Sequence, residues 1–254
     1  MATFEQELDR FGPVIRTLTR LSLLGKKVEV LGAENFVRQG PNILVGNHIG
    51  SFKDVALLFR CVPRPIFFTA NIEIFSFGDL SSLILRHLKR SLGQLGPTLY
   101  NFLAPLRSRF ARFISTNIGK VGTIPVDISP DRKKGETLEK IQNHVRQGRA
   151  VVALQGRGRL RKLFPNPFLE PFRSGVPHIV QNLLVRDGLA VPVTPLAFFG
   201  THRALFLPIR IKINVGRPMF ISDHLAGSAE ETAERFRSAL EEKVKSLFFE
   251  LLRR

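Results

Sequence analysis

The sequence predicts an α/β fold: a mostly parallel or mixed central sheet flanked by helices, with an amphipathic helix at each end. Three observations predict it. Short β-branched runs bounded by Gly and Pro recur along the chain. Stretches with apolar residues at helical spacing lie between them. The two kinds alternate, which is the pattern of a sheet covered by helices. A chain of 254 residues with 44% hydrophobic content can bury a full core. We expect one domain over 1–254, with an N-terminal helical segment at 1–26, a core at 40–220 and a C-terminal helix at 223–254.

Taken in order, residues 4 to 24 carry Phe4, Leu8, Phe11, Ile15, Leu18, Leu21 and Leu24 at helical spacing, with Gly12 and Pro13 interrupting. This reads as a short helix and a second one after the break. Lys27 to Gly32 and Asn42 to Asn47 read as strands, and a helix beginning near Ser51 carries Val55, Ala56, Leu58 and Phe59. Arg64 to Ala70 is a further strand. Residues 72 to 118 form a long, mostly helical stretch in which Arg86, His87, Lys89, Arg90, Arg107, Arg109 and Arg112 interleave with Leu and Phe. Such a basic amphipathic region either lies on an anionic bilayer or is a solvated helix face above a core.

Val121 to Val126 is a strand, followed by a polar loop and a helix near Glu136 to Gln147, for which Gly148 is the natural C-terminal stop. Strand Ala150 to Leu154 follows. After a Pro-rich loop, a helix around Gly175 to Val185 precedes strands Val191 to Phe199 and Arg210 to Gly216. Ser228 and Glu231 are spaced as a capping box ahead of Phe236, Leu240, Val244, Leu247 and Leu251 at helical intervals.

Lys and Arg total 38 against 21 Asp and Glu, a formal charge of +17. That implies attraction to something polyanionic: nucleic acid, anionic lipid headgroups, or acidic carriers and phosphorylated cofactors. With 22 Phe, one Tyr and no Trp, the aromatic set suits a core or hydrocarbon better than a base-stacking platform. Cys61 is the only cysteine, so no intrachain disulfide forms and nothing points to an oxidising compartment. Glu5, Glu7 and Asp9 stand where a secretory signal would be basic, and no run of about 18 uncharged apolar residues occurs. The expected setting is cytoplasmic and peripheral on the inner face of a membrane.

The segment Asn47-His48-Ile49-Gly50-Ser51-Phe52-Lys53-Asp54 stands where a strand ends and a helix begins, the place in α/β sheets where side chains face the ligand crevice. A His followed six residues later by an Asp lets the carboxylate hold the far imidazole nitrogen. This fixes the tautomer and raises the basicity of the nitrogen facing a hydroxyl. The alternative for the isolated pair is a satisfied loop histidine and a capping carboxylate. His87, His144, His178, His202 and His224 show no metal-ligand spacing and no nucleotide-type Gly-rich loop occurs, so we expect no metal, no cofactor and no nucleotide hydrolysis.

Further blocks accompany the pair: Gly122-Thr123-Ile124-Pro125-Val126 with Asp131 downstream, and Leu154-Gln155-Gly156-Arg157-Gly158-Arg159 with Pro171-Phe172-Arg173-Ser174-Gly175. Val191-Pro192-Val193-Thr194-Pro195 and Val215-Gly216-Arg217-Pro218 complete the series. In order and spacing the set resembles the glycerolipid acyltransferase family, which includes the glycerol-3-phosphate and lysophosphatidate acyltransferases, over roughly residues 40 to 220. The resemblance implies an O-acyltransferase in which the hydroxyl of a glycerol phosphate or lysophospholipid attacks the thioester of acyl-CoA or acyl carrier protein. His48 would take the proton, oriented by Asp54, with no covalent acyl-enzyme. Substrate binding would fall to Asn47, Ser51, Gly122, Ile124, Pro125, Gln155, Gly156, Arg157 and Arg159, the two arginines holding a phosphate by charge-assisted hydrogen bonds. Departures from the pattern bear on the acceptor more than on the fold. Ile128 stands where an Arg contacts the acceptor phosphate, with Arg132, Lys133 and Lys134 nearby to substitute. Gln155 replaces Glu, and Gly158 stands where an Arg is common. A catalytically reduced protein that binds anionic lipid on the same scaffold is the alternative these departures motivate. A nucleic-acid-binding domain, motivated by charge alone, lacks a reading motif.

Overall fold

The computed structural model describes residues 4–126, 134–156, 158–160, 166–203 and 208–253. Among the described residues there are seven strands, β1 (Lys27–Leu31), β2 (Asn42–Gly46), β3 (Ile66–Asn71), β4 (Thr123–Val126), β5 (Ala150–Val152), β6 (Val193–Phe199) and β7 (Arg210–Val215), interspersed with eight α-helices. The helices are α1 (Phe4–Ser22), α2 (Phe52–Cys61), α3 (Phe77–Leu92), α4 (Leu95–Phe102), α5 (Ala104–Asn117), α6 (Lys134–Arg146), α7 (Gly175–Asp187) and α8 (Ala229–Arg253). The strand order is β1-β7-β6-β2-β5-β3-β4. β1 with β7, β6 with β2, β2 with β5, and β3 with β4 run parallel, whereas β6 and β7 are antiparallel. The sheet is therefore mixed, as the alternation of elements predicts.

The chain divides into two compact units. The larger comprises 12–67 and 138–254, the smaller 1–11 and 68–137, and β3 begins in the first and ends in the second. In the larger unit β2 is buried at every position and β6 at all but its last, the continuous apolar pattern of strands covered on both faces. α8 packs on β6 and β7 through Phe236, Leu240, Val244, Leu247 and Leu251, all buried. Two polar residues of β7 tie down its last turns: Asn214 Nδ2 donates to the Leu247 carbonyl at 3.1 Å and Lys212 Nζ to the Leu251 carbonyl at 3.3 Å. The capping box forms in both directions, Ser228 N to Glu231 Oε2 and Glu231 N to Ser228 Oγ, each 3.1 Å. Cys61, the last residue of α2, is partly buried, and burial pushes its thiol up to about 11.

Two sequence expectations need correction. Residues 4 to 22 form one helix with Pro13 inside it, not two. Pro13 removes one i→i−4 bond, but the apolar positions stay in phase on both sides of it, so one continuous stripe is worth more than the bond. Residues 72 to 118 are helical as expected but broken into a short 3-10 turn and three helices, with a breakpoint at Gly93, whose φ of 58° is left-handed. Within the smaller unit Phe11 meets Phe113 edge-on with ring centroids 6.1 Å apart.

Candidate active site

β2 ends at Gly46, and the chain then turns through Asn47 to Gly50 into α2. Ser51, at the N-cap, has φ 53° and ψ −128°, the one non-glycine residue with positive φ among those described. Its side chain makes no capping bond. Strained backbone of this kind costs of order 1–3 kcal/mol and persists where its surroundings enforce it. Here the turn directs His48 toward Asp54 in the first turn of α2. His48 Nδ1 and Asp54 Oδ2 are 2.8 Å apart, with the imidazole 23% exposed and the carboxylate fully buried. The same Oδ2 accepts from the backbone N–H of Ile49 at 2.9 Å and of Gly50 at 2.7 Å. Three donors and the helix N-terminus stabilise the buried negative charge. With Nδ1 as the donor to Asp54, Nε2 is the atom left to accept a proton.

The loop after β5 backs the imidazole. Gln155 N donates to the Gly46 carbonyl and His48 N to the Gln155 carbonyl, both at 2.7 Å, and Gly158 N donates to the His48 carbonyl at 3.1 Å. Gly156 has φ 118° and Gly158 φ 69°. A Cβ at 156 would lie 3.0 Å from the His48 carbonyl oxygen; at 158 it would lie 3.0 Å from both His48 Nε2 and Ser51 Cα. Glycine at 158 is thus favoured twice, by its left-handed conformation and by its close approach to His48 Nε2.

The buried Gln155 side chain accepts from Arg173 N at 3.1 Å and donates to the Ala153 carbonyl at 3.4 Å. An ionised Glu could accept but not donate. Asn47 is buried and its amide is used up in holding elements together: Nδ2 donates to the carbonyls of Phe168 and Phe198, and Oδ1 accepts from Phe198 N at 2.7 Å. It fastens the end of β2 to β6 and to the loop before α7.

Thus His48, Asp54, Asn47, Ser51, Gln155 and Gly156 come together in the larger unit, with Arg159 exposed on the same loop. Arg157 lies outside the described residues, as do Ile128, Asp131, Arg132 and Lys133; Lys134 opens α6. Gly122, Ile124 and Pro125 belong to the smaller unit, where Gly122 turns at φ 86° into β4, Ile124 is buried and Pro125 pairs with Ala70.

Sequence reasoning missed what lies behind the carboxylate. Because β6 runs parallel to β2, the residues after it, Thr201 and His202, reach the site. A Cβ on Gly50 would lie 2.5 Å from Thr201 Oγ1 and 2.7 Å from Asp54 Oδ1, so only glycine fits. Thr201 Oγ1, Asp54 Oδ1 and His202 Nδ1 are buried with no hydrogen-bond partner among the described residues. Burial, then the charges of Arg203 and Lys53, holds the His202 imidazole below its ordinary value, with Asp54 acting the other way. The buried Lys53 donates Nζ to the Arg203 carbonyl. Its ammonium is lowered by burial first and by Lys26 second, against the pull of Asp54. The available signal was the position of Gly200-Thr201-His202 immediately after a core strand, at the same end of the sheet as His48.

Among the described residues no group of three or more His, Cys, Asp or Glu could hold a metal ion, and no helix is long and apolar enough to cross a membrane. Neither a protein-family profile nor a curated relative matches the chain. Among solved structures it is similar to the 1-acyl-sn-glycerophosphate (LPA) acyltransferase PlsC from Thermotoga maritima, with a TM-score of 0.57 and 18% identity, covering 100% of this chain and 85% of that one. That likeness is one of fold.

Proposed function

We propose that the chain is an O-acyltransferase that moves a fatty acyl group from an acyl thioester to the hydroxyl of a glycerol phosphate or lysophospholipid. The observation that carries this is the His48–Asp54 pair at 2.8 Å, built at the C-terminal end of a central strand on a fold like that of an LPA acyltransferase. In the proposed step His48 Nε2 takes the proton of the acceptor hydroxyl as its oxygen attacks the thioester carbonyl. Asp54 offsets the imidazolium charge that forms. The tetrahedral intermediate collapses, the carbon–sulfur bond breaks, and the imidazolium returns its proton to the departing thiolate, leaving ester and free thiol. Acyl-CoA or acyl carrier protein is the donor and no cofactor is involved. Arg157 and Arg159 would hold the acceptor phosphate, and the reaction would take place at an anionic membrane surface, which accounts for the net charge.

The test is thiol release from a long-chain acyl-CoA or acyl carrier protein, with glycerol phosphate or a panel of lysolipids, for the parent chain and His48→Ala. Release that requires an acceptor and disappears in the variant supports the proposal. A parent chain silent with every donor and acceptor sinks it and favours a lipid-binding protein on the same scaffold, the reading that Gln155 motivates.

A further inference from the structure

From Leu80 to Val126 the chain has no Asp or Glu, yet it carries seven Lys and Arg residues. Inside that stretch α4 and α5 display a row of large apolar side chains to solvent. Leu95, Leu99 and Phe102 lie at i, i+4 and i+7 on α4, and Leu106, Phe110 and Phe113 at the same spacing on α5, so each helix presents one stripe. Phe102 is 80% exposed, Leu95 71% and Leu106 66%. Arg109 and Arg112 are exposed on α5 beside them, and the Arg107 guanidinium lies 3.6 Å over the Tyr100 ring, joining the two helices.

A solvated helix face would alternate charges of both signs and turn its leucines inward. Here the apolar stripes point outward and the flanking charges share one sign. We infer that α4 and α5 form a wedge that inserts into the headgroup region of an anionic phospholipid bilayer, with Phe102 and Leu106 entering the acyl boundary and the arginines meeting the phosphates. A second copy of the chain fits the patch poorly, because a self-complementary interface would bring the exposed arginines of α5 toward those of its copy with no Asp or Glu on α4 or α5 to pair them. Nucleic acid would leave Leu95, Leu99 and Leu106 without a use. The inference deepens the proposed function by naming the element that meets the membrane, and it rests on that reading only for the membrane's role in delivering substrate.

The experiment measures flotation of the full chain with vesicles of phosphatidylcholine alone or with phosphatidylglycerol, for the parent, Phe102→Asp/Leu106→Asp, Arg109→Glu/Arg112→Glu and His48→Ala, with thermal melts as the folding control. The parent and His48→Ala are expected to float with anionic vesicles and at least about tenfold less with neutral ones. Both double variants should melt like the parent, since all four side chains are exposed, and bind anionic vesicles at least about tenfold less. Parent-like binding by the Asp double variant overturns the wedge. So does a concentration-dependent dimer that this variant abolishes, or displacement of the vesicles by duplex DNA. Vesicle binding lost in the variants while no thioester is ever cleaved leaves the wedge standing and removes the acyl-transfer reading. Thiol release with glycerol phosphate in a chain that ignores vesicles does the reverse.

Discussion

Replacing Gly158 with Ala separates the two reasons for glycine beside the imidazole. At φ 69° an Ala pays about 1–2 kcal/mol for the left-handed conformation, a shift in melting temperature of about 2–4 °C per kcal/mol for a chain of this size. The new methyl would also stand 3.0 Å from His48 Nε2 and 3.0 Å from Ser51 Cα, so one of them must yield by a few tenths of an ångström. Misplacement of a catalytic group by about 1 Å costs about a hundredfold in rate, so a displacement of that fraction is expected to cost about tenfold. Gly148 supplies the control, with φ 73° and nothing within 4 Å of its would-be Cβ. Gly148→Ala should lose the same stability in urea denaturation and keep its thiol release. If Gly158→Ala retains thiol release within about twofold of Gly148→Ala, Nε2 is not the proton acceptor and the assignment fails.

Further outcomes follow from the same geometry. His48→Ala should lower turnover by about 100- to 10,000-fold and, by removing one of the three donors to the buried Asp54 carboxylate, cost about 1–3 kcal/mol of stability, measured by thiol release and calorimetry. Asp54→Asn keeps an acceptor for the Ile49 and Gly50 amides and should lose activity while remaining folded. Asp54→Ala orphans both amides and should cost about 2 kcal/mol or more in urea. Gln155→Glu puts a carboxylate against the Ala153 carbonyl and should destabilise by about 1–3 kcal/mol, relieved at low pH as the acid protonates. Burial first and Arg149 second hold the His144 imidazole below its ordinary value, and His202 is lowered likewise. Both are neutral in the two states above about pH 7. As pH falls through about 6.5 the unfolded chain takes up protons that the folded chain refuses, so stability should drop in that window. His144→Gln/His202→Gln should flatten the urea midpoint between pH 7.5 and 5.5; an unchanged slope would refute the assignment.

The His48–Asp54 pair was legible because both residues belong to one local segment whose strand-to-helix turn is written in its composition. The capping box at Ser228 and the stop at Gly148 were legible for the same reason. What lies behind the carboxylate was not, since Thr201 and His202 reach it only through the parallel pairing of β6 with β2, and pairing is not encoded in spacing. The role of Gly158 is a tertiary contact with His48, far away in sequence, which no motif expresses. Pro13 misled because a local breaker was weighed without the in-phase stripe on either side of it. The stretch from 72 to 118 stayed ambiguous because periodicity shows that a helix has an apolar face, not whether anything covers it.

Cys61 has a practical bearing on the thiol-release tests. With its thiol pushed up to about 11 at the end of α2, it offers almost no thiolate near neutral pH. The protein's own sulfur should therefore stay silent in an assay that counts released thiols. The same inertness makes the native chain a ready background for site-directed labelling. A cysteine introduced at position 102, on the exposed tip of α4, would take a polarity-sensitive dye alone and report in real time whether that tip leaves water when vesicles are added.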